Sequence, residues 1–546
     1  MGSPLQSLDY VVFLIYFFIV AGYGYWIYQR KKSAEVSTTD FFLAEGSLTW
    51  WAIGASLIAS NISAEQFIGM SGSGFAMGLA IASYEWMAAA TLLVVAVFFL
   101  PIFLKNKIYT MPQFLAQRYS PLVATIMAVF WLLVYVFVNL TSILYLGALA
   151  VSTISGFSFT ACSIGLCVFA VIITLGGMKV IGYTDVIQVL VLILGGLATT
   201  YLALDLVAQH FGSDGPMSGL ALLREKAGDH FHMILNKGQM MMPDGKGGTE
   251  DAYQKLPGLA VILGAMWIAN LNYWGFNQYI TQRALGADLP TARAGLLFAA
   301  FLKLLMPVIV VLPGIAAYLL FREGVFQQEM LDGTAVRPDR AYPVLINLLP
   351  VGLKGLSFAA LTAAIVASLA GKANSISTIF TLDLYKKFFN REASQATQVR
   401  VGRIVIVIAM IIGGIVAPVL SNFGQAFQFI QDFTGLISPG VVAIFLLGFF
   451  WKRATASGAL AGAIATIPTG LILERVFVGM PFLHRMGYVF FALVALIVIV
   501  SLFDKKGQKK VNPIEVHASM FRTTPGFTVG MVLVLGIIAA LYMMFW

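Results

Sequence analysis

Trp50-Trp51-Ala52-Ile53-Gly54-Ala55-Ser56-Leu57-Ile58-Ala59-Ser60-Asn61-Ile62-Ser63-Ala64-Glu65-Gln66-Phe67-Ile68-Gly69 is the stretch on which the reading of this chain turns. It has the length of a bilayer crossing, which takes about 20 mostly apolar residues. Its middle nevertheless holds Ser60, Asn61, Ser63, Glu65 and Gln66. Polar residues so tightly clustered cover most of a helical circumference and cannot all face one neighbouring helix. An unwound segment accounts for them, because a broken helix frees backbone carbonyls that coordinate small cations beside a substrate cavity. The alternative is an intact helix with interhelical hydrogen bonds.

The rest of the chain supplies the membrane context. Of its 546 residues 59% are hydrophobic and 11% charged, against about 25% charged in soluble domains. Apolar stretches recur near 10–28, 50–74, 79–104, 121–151, 158–176, 181–207, 257–281, 293–320, 355–381, 400–420, 425–450, 455–474, 485–503 and 526–545. That predicts roughly fourteen spans in one polytopic domain, and they are too long and too little alternating for barrel strands, so helices are expected. The first span is no signal peptide: no Lys or Arg precedes it, and Arg30, Lys31 and Lys32 follow it.

Basic residues then gather in alternate loops. Lys105, Lys107 and Arg118 follow the third span, Lys179 the fifth, Arg283 and Arg293 the seventh, and Lys386, Lys387, Arg391, Arg400 and Arg403 the ninth. Lys452 and Arg453, and later Lys505, Lys506, Lys509 and Lys510, continue the pattern. These loops are assigned to the cytoplasm and both termini to the outside, in a bacterial inner membrane. The formal charge of +9 is thereby explained by lipid orientation, and nucleic acid is not expected as a partner. The segment 208–256, with its Gly-rich stretches, reads as an exposed and partly mobile external loop. Cys162 and Cys167, five apart in one apolar stretch, read as core residues and not as a disulfide or metal site. The run Gly69-Met70-Ser71-Gly72-Ser73-Gly74 lacks the strand and Lys of a nucleotide loop and reads as close helix packing.

Other polar groups also sit at membrane depth, where function is sought. They are Glu85 early in the third span; Trp267, Asn270, Asn272, Tyr273, Trp274, Asn277 and Gln278 in the seventh; Lys303 in the eighth; and Gln425, Gln428, Gln431 and Asp432 in the eleventh. Amides, carboxylates, one ammonium and aromatic faces suit a pyranose, whereas an amino acid needs a dedicated charge or helix end for each of its ionic groups. For single residues the plainer readings stand beside this one. Lys303 either snorkels or pairs with a carboxylate, and the Trp residues also serve as interfacial anchors. Ala364-Ile365-Val366-Ala367-Ser368 puts small residues and a hydroxyl where they can face the broken second span, and a sodium ion wants about five or six oxygens. Asp185, opening the sixth span, either guides a cation or caps the helix.

The chain resembles the solute:sodium symporter family. The resemblance is carried by Asp40-Phe41-Phe42-Leu43-Ala44, Trp50-Trp51 with Gly54 to Gly69, and Ala82-Ser83-Tyr84-Glu85-Trp86. It continues through Asn272 to Tyr279, Asn374 to Tyr385 and Gln425 to Gln431, and so covers essentially the whole chain. It implies an all-α LeuT-type fold: a peripheral first helix at 10–28, two inverted five-helix repeats over 50–207 and 257–450, and peripheral helices over 455–545. It implies uptake of a hexose of the galactose or glucose type driven by inward sodium flow, with no enzymatic activity. The family's other solutes, such as inositol, proline or a sialic acid, are the alternative. Carried over by motif, the sugar would meet Asn61, Gln66, Glu85, Asn270, Lys303 and Gln431, with Tyr273 closing over it from the cytoplasmic side. Met70, Tyr84 and Phe427 would form the outer lid. Sodium would meet the carbonyls of Ala59, Ile62 and Ala364 and the hydroxyl of Ser368.

Three positions depart from the family pattern. Ala367 stands where close relatives have a second serine beside sodium. Ala88 stands where galactose-transporting members of the family have a serine at the sugar. Lys372 is a charge within the ninth span that the pattern does not contain.

Overall fold

A chain in hydrocarbon must satisfy its own backbone, and this one does so with helices. The computed structural model describes residues 5–30, 48–175, 178–244, 247–422 and 426–546. The Asp40 to Ala44 motif, Lys31, Lys32 and Gln425 lie outside the described residues.

The first half comprises α1 (Ser7–Arg30), α2 (Trp50–Asn61), α3 (Ser71–Met77), α4 (Ser83–Val94), α5 (Met111–Arg118), α6 (Pro121–Ser155), α7 (Phe159–Thr174) and α8 (Met178–His210). The second comprises α9 (Met266–Gly275), α10 (Gln278–Leu285), α11 (Leu289–Arg322), α12 (Leu353–Phe389) and α13 (Gln395–Val416). It continues with α14 (Ala426–Phe450), α15 (Ala456–Val476), α16 (Phe482–Phe503) and α17 (Pro525–Met544).

Among the described residues eleven helices are long and apolar enough to cross a membrane, and a twelfth crossing arises if the bent pair Ala252–Leu263 and Met266–Gly275 is one span. Helix length alone therefore does not reproduce the expected fourteen. Two of the expected spans fall short of the length criterion: α7 is a shorter apolar helix, and the span that opens with α2 breaks after twelve residues.

That break lies where the polar cluster predicts it. α2 ends at Asn61, and Ile62 is extended, with φ −78° and ψ 104°. The backbone N–H and hydroxyl of Ser63 then donate to Gln66 Oε1 at 3.1 and 3.3 Å, and the N–H of Glu65 donates to Ser63 Oγ at 3.0 Å. Side chains thus satisfy groups that the helix has let go, which is what makes a break tolerable at this depth. A wide-turned segment, Glu65–Met70, restarts the helix. The second break is the 76° bend before α9, where the Trp267 indole donates to the carbonyl of Ile262 at 2.7 Å.

Burial separates core from periphery. In α12, 89% of the most apolar stretch is buried, against 22% in both α1 and α17. Every residue of α2 from Ala52 to Asn61 is buried, and so is every residue of α12 from Phe358 to Ile379. Small residues permit such close approach. At Gly314 of α11 a Cβ would lie 2.0 Å from the carbonyl of Ser71, so the Gly72–Gly74 region does pack helix against helix.

Three expectations about polar segments change. The segment 208–256 is more than an exposed loop: it holds a helix, Pro216–Lys226, a hairpin of Met241–Pro243 with Thr249–Asp251, and buried His230, Met233 and Met242. His230 stacks on Tyr318 with centroids 3.7 Å apart, and Gly78, at φ +65°, passes so close that a Cβ would sit 2.4 Å from the His230 carbonyl oxygen. Arg118, Arg283 and Arg293, read as loop charges, are all buried. The Arg118 guanidinium at the end of α5 donates to the carbonyls of Gly448, Ala454 and Trp451 at 2.7, 3.0 and 3.0 Å, clasping the turn between α14 and α15. Arg293 donates to the carbonyls of Ala96, Arg522 and Met520. Lastly, Asp185 lies well inside α8 and is buried, so it caps no helix.

Candidate functional site

A polar cavity of about 110 Å³ opens beside the break in α2. Asn61, Gln66, Glu85, Asn270, Tyr273, Lys303 and Gln431 all line it, as do Met70, Tyr84 and Ala88. Seven positions from six separate segments thus converge, although the sequence spreads them over most of the chain. Phe427 lies in α14, but its side chain is outside what the structure describes.

The most tightly built part is an ion pair. Lys303 Nζ lies 2.5 Å from Glu85 Oε2, with side-chain exposures of 1% and 3%. It also donates to Asn61 Oδ1 and sits 5.1 Å from the centre of the Trp274 ring. Of the two plain readings of Lys303, pairing with a carboxylate is therefore the correct one. Asn61 Nδ2 donates to the Tyr273 hydroxyl at 3.1 Å, which ties the end of α2 to α9 across the cavity. Asn270 spends one N–H on the carbonyl of Met266, and Asn272 donates to Ser438 Oγ at 2.9 Å. The wall is rich in amides and carboxylates, with aromatic faces from Trp274, Tyr273 and Trp131. Such a wall hydrogen-bonds hydroxyls and stacks on a C–H face. Asp432 turns elsewhere, to Lys255 Nζ at 3.7 Å, and does not line the cavity.

Beside the cavity, the break meets α12. Ser368 Oγ lies 3.3 Å from the carbonyl oxygen of Ala59, 3.1 Å from that of Ser60 and 3.4 Å from that of Ile62. Ala364 and Ser368 are one turn apart and so share the face of α12 turned to the break, both fully buried. Carbonyls and one hydroxyl form an oxygen-only donor set, the kind a hard cation takes. Ala367 is buried and brings no oxygen from its side chain.

Sequence reasoning missed several groups here. Tyr279, quoted only as the end of a motif, donates its hydroxyl to the Ser60 carbonyl. Ser56 donates to Asp185 Oδ2 at 2.5 Å and accepts from Arg283 Nε at 2.9 Å, so one hydroxyl links a carboxylate in α8 to a guanidinium in α10. Asn139 and Ser142 of α6 bond Lys372 and Glu65 at 3.2 and 2.9 Å. Helical spacing carried a signal for some of these: Ser56 and Ser60 fall on one face of α2, and Tyr279 and Arg283 on one face of α10.

Comparison with known proteins agrees with this architecture. The model of the sodium:solute symporter family matches residues 41–466. The chain is 46% identical to a sodium/glucose cotransporter of Vibrio parahaemolyticus over 550 residues, 99% of each chain. It is 34% identical to the human sodium/myo-inositol cotransporter 2 over 86% of its own length and 70% of that protein's. Among solved structures, a sodium-coupled sialic acid symporter in an outward-open state superposes with a TM-score of 0.75 at 22% identity, covering 91% of this chain and 98% of the other. The last likeness concerns the fold.

Proposed function

The chain belongs to the sodium:solute symporter family, with its LeuT-type fold, and from that premise we propose that it couples inward sodium flow to the uptake of a hexose of the glucose or galactose type. The observation that carries this reading is the placing of an oxygen-lined break directly beside a cavity built around a buried Lys303–Glu85 pair. Sodium binds the carbonyls of Ala59, Ile62 and Ala364 with the Ser368 hydroxyl. Because Ala367 contributes no hydroxyl, the ion depends heavily on Ser368.

The sugar binds through Asn61, Gln66, Glu85, Asn270, Lys303 and Gln431. Tyr273, bonded to Asn61, is the inner gate, and Met70, Tyr84 and Phe427 are the outer lid. Asn61 adjoins both ligands, so sodium and sugar bias one two-state element and each raises the affinity for the other. A potential of 100 mV contributes about 2.3 kcal/mol per sodium, roughly a 50-fold sugar gradient. Asp185, buried and bonded to Ser56 one turn before Ser60, lies on the ion's route to the cytoplasm. The two interrupted spans, one in each half, are the first members of two inverted repeats over 50–207 and 257–450, with the remaining helices peripheral. The protein works in a bacterial plasma membrane with both termini extracytoplasmic, and it catalyses no chemical step.

The test is uptake of radiolabelled galactose into proteoliposomes under an inward sodium gradient or a matched choline gradient. Unlabelled glucose, mannose, myo-inositol and proline serve as competitors. Sodium-dependent uptake competed by hexoses is expected. Uptake equal in choline overturns the coupling, and competition by myo-inositol alone moves the substrate to a cyclic polyol, with Ala88 the first position to examine.

A further inference from the structure

Lys372 is a buried charge that belongs to neither the proposed sodium site nor the proposed sugar site. It lies one helical turn beyond Ser368 on α12, toward the end that runs into Lys386, Lys387 and Arg391. It is 4% exposed and lines the same cavity as Lys303. Its ammonium is held among three tyrosine rings, 3.9 Å from the centre of Tyr279, 5.1 Å from Tyr135 and 5.8 Å from Tyr273, with Nζ 3.2 Å from Asn139 Oδ1. Aromatic faces at such distances hold cations.

The cage is wired to the break. The ring beneath the ammonium belongs to Tyr279, whose hydroxyl donates to the carbonyl of Ser60, the oxygen that Ser368 also reaches. A second of the three rings is Tyr273, bonded to Asn61. Glu65 lines the same cavity and supplies a carboxylate that interacts with this ammonium; it accepts from Ser142, one turn along α6 from Asn139. The guanidinium of Arg283 is a second cation against the Tyr279 ring, at 5.1 Å, but its charge is already engaged through Ser56 with Asp185.

Resting on the symporter reading, we infer that Lys372 is a tethered cation on the inner side of the sodium site, which weakens sodium binding there and so speeds release of the ion inward. Ser368 and Lys372 are one turn, about 6 Å, apart along α12, so an ion held by the Ser60 carbonyl lies on the order of 8 Å from the ammonium once its own bond to the oxygen of about 2.4 Å is added. At an effective dielectric near 20 that repulsion amounts to roughly 30-fold in an equilibrium constant, and Glu65 offsets part of it, leaving about tenfold. The sugar keeps its own partners in the Lys303–Glu85 pair, so the effect falls on the ion.

The experiment measures initial sugar uptake into proteoliposomes against sodium concentration at saturating sugar, for the wild type, Lys372→Met and Lys372→Arg. Lys372→Met is expected to lower the sodium concentration for half-maximal uptake about tenfold and to reduce the maximal rate, with the sugar KM at saturating sodium unchanged. Lys372→Arg, which keeps the charge, is expected to stay near the wild type. Glu65→Gln leaves the ammonium uncompensated and is expected to shift the sodium requirement upward. If Lys372→Met cannot be recovered folded, Lys372→Gln is read instead, by the sodium-induced rise in melting temperature of purified protein, expected at lower sodium than in the wild type. A sodium titration unchanged in Lys372→Met, or shifted equally in Lys372→Met and Lys372→Arg, overturns the inference and leaves the symporter standing. A wild type without sodium dependence overturns the symporter reading itself.

Discussion

Replacing Lys303 by Met separates what the buried pair does for the fold from what it does for the sugar. Glu85 has its carboxylate 2.5 Å from Lys303 Nζ and a side-chain exposure of 3%. Removing the ammonium leaves that carboxylate without its charge partner, which costs about 3–5 kcal/mol. The double variant Glu85→Gln/Lys303→Met removes both charges while keeping most of the volume. Replacing a buried pair in this way is close to neutral for stability, within about 1–2 kcal/mol. Uptake behaves differently. Each hydrogen bond between a charged group and a sugar hydroxyl contributes about 1.5–3 kcal/mol, so losing two lowers uptake efficiency by roughly 100-fold or more.

The assay pairs melting curves of purified protein, compared at one scan rate because such unfolding is governed by rates, with sodium-driven uptake in proteoliposomes. Lys303→Met is expected to melt well below the wild type and to transport nothing measurable. The double variant is expected to regain most of the melting temperature and none of the uptake. Recovery of uptake together with stability would show that the pair is scaffolding and that the cavity around it is not the sugar site. A single variant that melts like the wild type would refute the reasoning about buried charge.

Three further outcomes follow from the geometry. Ser368→Ala removes the hydroxyl that faces the Ala59, Ser60 and Ile62 carbonyls and is expected to raise the sodium requirement for uptake about tenfold while leaving the ranking of competing sugars unchanged; an unaltered sodium titration counts against that site. Gln66→Ala strips the acceptor from both the N–H and the hydroxyl of Ser63 and should reduce uptake and loosen the break, read as faster hydrogen exchange at residues 62–66, with unchanged exchange refuting that role. Gly78→Ala meets both a positive φ and the His230 backbone at 2.4 Å, so a loss of about 1–3 kcal/mol is expected, seen as faster proteolysis of segment 208–256; wild-type resistance would mean that this segment is not held at Gly78.

The break in α2 was legible because lipid makes polarity expensive: Ser60 to Gln66 cluster at a depth where an intact helix has no use for them on every face. Glu85 and Lys303 stood out for the same reason, although only three-dimensional proximity reveals that they pair. What escaped the reading were residues whose polarity has a respectable alternative. Arg118, Arg283 and Arg293 fall in loops or next to them, where the positive-inside pattern already accounts for an arginine, so nothing in the sequence distinguishes a cytoplasmic charge from a buried clasp. The segment 208–256 looked exposed because Gly, Asp and Lys dominate parts of it, yet some of its large residues, Met233 and Met242 among them, are buried while others, such as Met217 and Met241, are exposed. The bend before α9 was missed because Gly264, where the preceding helix ends, is an ordinary residue in a membrane helix, and the bond from the Trp267 indole to the Ile262 carbonyl is visible only in three dimensions.

The Arg118 clasp has a consequence for how sequences of relatives would record it. All three acceptors are backbone carbonyls, so the guanidinium reads the course of the chain at 448, 451 and 454 and not the side chains there. Selection on the bond falls on one side of a contact that spans 330 positions. Space alone constrains two of the three acceptor positions, since a Cβ at Gly448 would lie 2.9 Å from Phe114 and Ala454 is fully buried. Pairwise covariation, which needs both partners to change in step, would be silent about a joint that ties two distant parts of the chain together.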